Sequence, residues 1–224
     1  MKYLNRASAA LAAVCFFAAP EAFAQAAGPQ TFEVRPGGMS RVTFTSDAPL
    51  ETIDGVSTDT RGSFTVDLAH PGTGLTGSVH ISTASLRTGS DMRDEHLRSD
   101  NWLDAAHNPD ITFTLVSARL STALTPNTPV TGTLQGDLTV HGVRHRVTTP
   151  VTVRYVPLAP DMASMAQFGV NANMIRIQTA FHVNLSDYNV SIMAPLRLKV
   201  SNDIAIRVDV TAFQQAAPAA PAAH

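Results

Sequence analysis

The chain has 224 residues, of which 15% are charged and 44% hydrophobic, and its formal net charge is −2 at pH 7. A chain of this length can bury one hydrophobic core, and a charge so close to zero gives no reason to expect nucleic acid or an anionic membrane as a partner. The only cysteine is Cys15, so a mature chain without it has neither disulfides nor thiol catalysis.

The N-terminus has the pattern of a secretory signal peptide. Lys2 and Arg6 lead into an apolar run, "ASAALAAVCFFAA", and "AFA" stands just before Gln25. A basic start, a short apolar stretch and an A-x-A site are the parts of a cleaved signal, and the run is too short to span a bilayer. The sequence therefore predicts a signal peptide at residues 1–24 and a periplasmic or secreted protein. A retained anchor and a lipoprotein modified at Cys15 are the alternatives.

Eight segments of the remaining chain alternate apolar and polar residues. Period two over four to eight residues, with Thr and Val prominent, is typical of half-buried strands. Short turns separate the segments, which favours an antiparallel sandwich or barrel. In chain order the apolar faces are Val42 and Phe44; Phe64 and Val66; Val79 and Ile81; Ile111, Phe113 and Leu115; Val130, Leu134, Leu138 and Val140; Val147, Val151, Val153 and Tyr155; Ile175, Ile177, Phe181 and Val183; Ile204, Ile206, Val208 and Val210.

A charge-dense stretch, "RTGSDMRDEHLRSDNWLDAAHNP", separates the third and fourth of these segments. Ser90 or Asp91 can cap a helix with an acidic first turn. The sequence predicts a short helical connection near residues 90–105 that covers one end of the barrel. The apolar side chains expected to face the barrel are Met92, Leu97, Trp102 and Leu103.

Two other connections have recognisable patterns. "TVHGVRH" predicts a tight hairpin that turns at Gly142, and "PLAPDMASMAQFGVNAN" predicts a loop over a barrel end with one helical turn. The Ala/Pro-rich end, residues 214–224, predicts a disordered tail. The folded domain is therefore expected at residues 25–213.

The helical connection contains one candidate general base, His96, next to Glu95 and Asp94. Adjacent helical residues point in different directions, so these three groups do not converge on one atom. Asp94 is four residues before Arg98, which favours an ion pair on a solvated connection.

A second candidate, "HGVRH", has the spacing of a helical zinc pair at His141 and His145, but a hairpin turn separates these residues. The chain has no G-x-S-x-G motif and no phosphate-binding glycine loop. We predict no metal, no cofactor and no enzymatic activity. The alternatives are a hydrolase or isomerase that acts on a lipid-like substrate with His96 or His141, and a purely structural surface domain.

The inward faces of most predicted strands carry no ionisable residue. A barrel of about eight strands can be filled by its side chains or can hold one ligand. The small inward residues Gly62, Gly77, Gly132 and Gly136 favour an interior that does not close completely. From the residues alone, a packed core and an open interior remain equal alternatives.

Two long blocks resemble the signature of the YceI-like family. "SLRTGSDMRDEHLRSDNWLDAAHNPDITF" is similar to S-x-x-T-G…R-D-x-H-L…F-D…P-x-I-x-F, and "GTLQGDLTVHGVRHRVTTPV" is similar to G-x-L-T-x-H-G-V. A third block, "FHVNLSDYNVS", resembles the family in a divergent form, and the match covers about residues 31–212. Where family members begin a strand with His-Ser, this chain has Met39-Ser40-Arg41.

The resemblance implies an extended lipocalin-like antiparallel barrel around a long apolar tunnel, in a periplasmic or secreted protein. It also implies a long-chain isoprenoid or another amphiphilic lipid as the ligand, whereas a transient membrane contact and a homodimer are left open. On this basis the predicted ligand-binding residues are Val42, Phe44, Phe64, Val79, Ile81, Trp102, Phe113, Leu115, Leu134, Leu138, Val140, Val151, Val153, Ile175, Ile177 and Phe181.

Overall fold

Ten β-strands and one α-helix follow one another along residues 28–215, the part of the chain that the computed structural model describes. The predicted signal peptide and the predicted tail beyond Gln215 lie outside these residues. The elements are β1 (Pro29–Val34), β2 (Arg41–Asp47), β3 (Thr52–Ser57), β4 (Thr60–Asp67), β5 (Thr76–Ser82), α1 (Asp91–Arg98), β6 (Asp110–Leu120), β7 (Pro129–Val140), β8 (Val143–Val156), β9 (Met174–Asn184) and β10 (Asp203–Gln214), with short 3₁₀ helices at Thr83–Ser85, Pro160–Phe168, Leu185–Tyr188 and Ala194–Leu196.

The strands close into an antiparallel barrel of eight, which confirms the predicted fold. The sheet order is β1-β4-β5-β6-β7-β8-β9-β10-β2-β3, and β1 also pairs with β10. Both β1 and β2 pair with the same edge of β10, where Val34 is opposite Ala212 and Val42 is opposite Val208. β1 and β2 therefore act as two halves of one interrupted strand. On their other edge, β4 pairs with β1 and β3 pairs with β2.

All eight predicted strands are present, and the structure adds β1 and β3. The sequence of β1 begins with Pro29, and β3 carries Asp54 and Gly55, residue types that are depleted in strands. The last strand runs to Gln214, one residue past the predicted end of the domain.

The connections follow the predictions in outline. The helix α1 begins after Ser90, and the long loop contains the 3₁₀ helix Pro160–Phe168. His141 and Gly142 have φ of 49° and 74°, so β7 and β8 are joined by the two-residue turn with two left-handed residues that matches the twist of a hairpin. No helix among residues 28–215 is long and apolar enough to cross a membrane.

Asp94 does not form the ion pair with Arg98 that the spacing predicts. Its side chain is 2% exposed and accepts hydrogen bonds from the backbone N–H and the hydroxyl of Thr88, both at 2.7 Å. It therefore holds the start of α1 to the preceding loop and forms no ion pair with Arg98. The neighbouring Arg93 makes the ion pair of this helix, with Glu51 in the β2–β3 turn at 2.8 Å.

One end of the barrel, called the closed end below, is filled by a packed core. Phe32 stacks on Phe64 with ring centroids 5.8 Å apart, and the long connections fold inward so that Leu124 donates a backbone hydrogen bond to Leu68 at 2.8 Å. Further buried members of this core are Val34, Val66, Val130, Val151, Val153, Tyr155, Ile175, Val210 and Ala212.

Candidate functional site: an apolar cavity inside the barrel

A cavity of about 800 Å³ extends from the closed end to the opposite end of the barrel. This volume lies in the upper part of the range of small-molecule sites, roughly 300–1,000 Å³. All sixteen residues predicted to bind ligand line the cavity, so these side chains point inward as predicted. Contact between these residues and a ligand stays a prediction.

The inward residues of β9 and β10 show where packing ends and the cavity begins. Ile175 is 1% exposed and Val210 is 3% exposed, and both belong to the packed core. Ile175 and Val210 also border the cavity, but Ile177, Phe181 and Val208, which line it closer to the opposite end, keep more of their surface exposed. Because these side chains point into the barrel, the accessible surface that they keep belongs to the cavity.

The glycines do not make the interior open, contrary to the expectation from the sequence. A Cβ atom on Gly136 would overlap the ring of Phe113, and a Cβ atom on Gly55 would overlap the ring of Phe44. These glycines therefore seat aromatic rings flat against the wall. Added Cβ atoms on Gly62, Gly77 and Gly132 would overlap the backbone of the neighbouring strand, so these glycines permit close strand approach.

The other end of the cavity, called the mouth below, is framed by α1, the β2–β3 turn and residues 190–200. Ionisable lining residues are confined to these elements: Glu51, Arg93, His96 and Lys199. Glu51 and Arg93 neutralise each other at 2.8 Å, whereas no ion pair within residues 28–215 involves Lys199. The site is therefore deep and apolar with a polar entrance.

The apolar residues of the helical connection divide into two groups. Leu103 is 7% exposed and packs with Leu86 and Val190, with Leu97 and Trp102 partly buried against them. Met92 lines the cavity but is 70% exposed. The connection thus covers part of the mouth, as predicted, and Met92 stands on its rim.

The barrel wall has a gap that the sequence did not reveal. β8 pairs with β9 only from Val151 to Val156. The carbonyl of Pro150 faces β9, where it accepts a hydrogen bond from the Thr179 hydroxyl at 2.7 Å, and the same residue has no N–H to continue the ladder. Val147, predicted to face inward, lies beyond this divergence and does not line the cavity.

The 3₁₀ helix Leu185–Tyr188 contacts both β8 and β9 beside this gap. Tyr188 is 3% exposed, its ring meets the His145 ring edge-on at 5.1 Å, and its carbonyl is 3.1 Å from Nδ1 of His141. Burial, and next the nearby Asp187 carboxylate, raise the pKa of the Tyr188 phenol. This segment is the divergent third block, and its role depends on tertiary contacts that no local pattern indicates.

The histidines considered for catalysis or metal binding are placed apart. His96 lines the mouth with an exposed side chain, whereas His141 and His145 contact Tyr188. Within residues 28–215 no group of three or more His, Cys, Asp or Glu side chains could hold a metal ion. Met39, Ser40 and Arg41 do not line the cavity, and the Ser40 hydroxyl bonds to the backbone of Thr211.

A closed antiparallel barrel of eight strands around an apolar cavity with a polar mouth defines a class of lipocalin-like binding folds. Within that class the chain belongs to the YceI-like domain family, whose model matches residues 33–212. A relative from Pseudomonas fluorescens (strain SBW25), the "UPF0312 protein", is 31% identical over 154 residues, which are 69% of this chain and 72% of the relative.

Two solved structures share the fold. The chain is similar to a polyisoprenoid binding domain from Saccharophagus degradans, with a TM-score of 0.61 and 16% identity over 84% of this chain and 100% of that domain. It is also similar to BcnA from Burkholderia cenocepacia, with a TM-score of 0.59 and 20% identity over 77% of this chain and 95% of BcnA. At these identities the likeness concerns the architecture.

Proposed function

We propose that the barrel binds a long-chain isoprenoid or another amphiphilic lipid, as a carrier or a sequestering protein of the cell envelope, and that it is not an enzyme. The observation that carries this proposal is the polarity of the cavity. Its depth is lined by side chains such as Val79, Leu134 and Val208, and its ionisable groups stand only at the mouth. A molecule with an apolar chain and a polar head matches this arrangement.

Two further points support the proposal. The similar domain from Saccharophagus degradans carries the description "polyisoprenoid binding", and the N-terminal sequence predicts export. The two histidines of the catalytic alternative lie apart, since His96 is at the mouth and His141 is engaged with the backbone of Tyr188.

The expected affinity follows from the apolar area that a chain removes from water. Burial contributes about 0.8 kcal/mol per CH₂, so a forty-carbon chain would gain roughly 30 kcal/mol. This gross gain exceeds the practical ceiling of about 18–21 kcal/mol for binding. Ordering of the chain and competition from the membrane must therefore offset much of it. We expect slow release and acceptance of several chain lengths.

The test is retention of lipids by protein freed of endogenous ligand. The protein is incubated with single-chain alcohols and fatty acids of increasing length together with short polar metabolites, passed through gel filtration, and analysed by mass spectrometry. We expect retention that rises with chain length. Retention of a polar metabolite instead, or of nothing, would contradict the proposal. Chemical conversion of a retained lipid that is lost in His96→Ala or His141→Ala would show an enzyme.

A further inference from the structure

Four large apolar side chains surround the mouth and are mostly exposed. Leu50 is 69% exposed, Met92 70%, Met193 62% and Leu198 54%. Eight large hydrophobic side chains among residues 28–215 are exposed, so half of them stand on this one end. We call these four residues the mouth rim. A concentration of exposed apolar surface marks an interaction site.

Specific contacts join the elements of the mouth rim. The Leu50 N–H donates to the Leu198 carbonyl at 2.8 Å, which holds the β2–β3 turn against residues 194–200. The Arg93 guanidinium on α1 bonds Glu51 in the same turn at 2.8 Å. Met92 and Met193 also line the cavity, so the apolar surface continues from the rim into the barrel.

Cations flank one side of the mouth rim. Arg197 and Lys199 are exposed, and neither makes an ion pair among residues 28–215. Glu51 is neutralised by Arg93, and the exposed acids on α1 are Asp91 and Glu95. Residues 190–200 therefore present positive charge beside apolar side chains, the combination that favours the surface of a bilayer with anionic lipids.

We propose that the mouth rim is the surface by which the protein docks on a lipid bilayer. The leucine and methionine side chains enter the interface, Arg197 and Lys199 meet the head groups, and the cavity opens toward the acyl chains. A lipid then passes between bilayer and cavity without crossing water. This rests on the proposed lipid-binding function. A bilayer fits the site better than a second copy of the chain, because a copy seated on the rim would cover the entrance.

The experiment compares flotation with vesicles of phosphatidylcholine and phosphatidylglycerol for two variants. Leu50→Ser with Leu198→Ser alters rim residues that do not line the cavity, and we expect partitioning about tenfold weaker than that of the native protein. The control is Met162→Ser with Phe168→Ser, which are 42% and 64% exposed in the Pro160–Phe168 helix at the closed end. The control should float like the native protein.

A second measurement separates docking from lipid binding. A fluorescent fatty acid below its micelle concentration should bind the Leu50→Ser/Leu198→Ser variant as tightly as the native protein, since the cavity is unchanged. Arg197→Gln should weaken vesicle binding about fivefold at low salt, which corresponds to about 1 kcal/mol per cation near an anionic surface, and by less at high salt.

Three results would overturn the docking proposal. The first is a native protein that binds the fatty acid and does not float with vesicles, which would leave the lipid-binding function standing alone. The second is equal loss of flotation in the rim variant and in the control. The third is a native dimer, seen by sedimentation, that the rim variant converts to a monomer, because a second copy would then occupy the mouth rim.

Discussion

At the closed end of the barrel, Phe32, Ile175 and Ala212 are at most 1% exposed, whereas at the mouth Met92 and Met193 are 70% and 62% exposed. The same alternating strands build both ends, so the difference arises in the connections. At the closed end, the loops that carry Leu68 and Leu124 fold inward and fill the space. At the mouth, polar contacts hold α1 over the opening and leave the interior accessible.

Alternation determines which face of a strand points inward, while the connections decide whether that face is packed. Leu68 and Leu124 are each 1% exposed and belong to the packed core. Trp102 covers the mouth and remains partly exposed. The leucines that fold inward fill the closed end, whereas the cover of the mouth, which packs through Leu103 and is tied to Thr88 by Asp94, leaves room beneath it.

The largest expected effect is the difference in lost stability between a phenylalanine of the closed end and one that lines the cavity. Phe32→Ala removes a fully buried ring that stacks on Phe64, and we expect a loss of about 3–5 kcal/mol in the free energy of unfolding. Phe181→Ala removes a ring that already borders the cavity, and should cost about 1–2 kcal/mol. Urea unfolding of both variants measures the difference, and equal losses would mean that the interior is packed throughout.

A series of phenylalanine substitutions along β10 compares the packed core, the cavity wall and the outer face of the barrel. Val210→Phe overfills the packed core and should cost about 1–3 kcal/mol. Val208→Phe, two residues earlier, should cost less than about 1 kcal/mol, on the scale of a tolerated core change, and should shorten the longest lipid chain retained. Arg207→Phe points outward and is the control, which should leave the retained chain lengths unchanged.

These effects are read from thermal midpoints and from the chain-length profile of retained lipids. A Val208→Phe variant that unfolds as easily as Val210→Phe, with an unchanged lipid profile, would show that the barrel is filled at that level.

A third prediction concerns the contact that holds the cover in place. Asp94→Ala leaves the N–H and hydroxyl of Thr88 without their buried acceptor, and should cost about 1–3 kcal/mol. Because the loss is local, we expect faster amide hydrogen exchange in α1 than in β9. Exchange that rises equally in both elements would indicate global destabilisation instead.

The smallest effect is expected on the outer wall, where Asp209 accepts hydrogen bonds from Arg176 at 2.8 and 2.5 Å. The Arg176 guanidinium holds the pKa of the Asp209 carboxyl below its usual 3.8. A folded-state pKa below the unfolded one stabilises the protein above pH 3.8, and this contribution is lost as the pH falls through the lower, folded-state pKa. Asp209→Asn should therefore cost less than about 1 kcal/mol at pH 7.

The measurement for this ion pair is urea unfolding of the native protein and Asp209→Asn at pH 7 and at acid pH. The difference between them should shrink at acid pH, and a difference that grows there would contradict the assigned role of Arg176.

The residue pattern predicted an antiparallel sandwich or barrel, its helix and the orientation of most strands, and the family resemblance selected the barrel. Phe44 and Phe113 line the cavity while their neighbours Thr43 and Thr112 do not, as the period-two pattern requires. It could not show where packing ends, because Ile175 and Ile177 have the same residue type and the same phase but different exposure.

One local inference failed for a tertiary reason, and one buried residue was missed. The spacing of Asp94 and Arg98 favoured an ion pair, but the buried carboxylate of Asp94 accepts hydrogen bonds from the N–H and the hydroxyl of Thr88 instead. Tyr188 has no periodic pattern around it, and it is buried against His141 and His145, which are far away in the sequence.

Native mass spectrometry of the full-length protein, purified from its own cells without detergent, shows whether the interior holds an apolar chain. We predict an added mass on the folded protein that organic extraction releases as an amphiphile with a long apolar chain. A protein that carries no added mass and retains no lipid on incubation, or one that releases a small polar metabolite, would contradict the account.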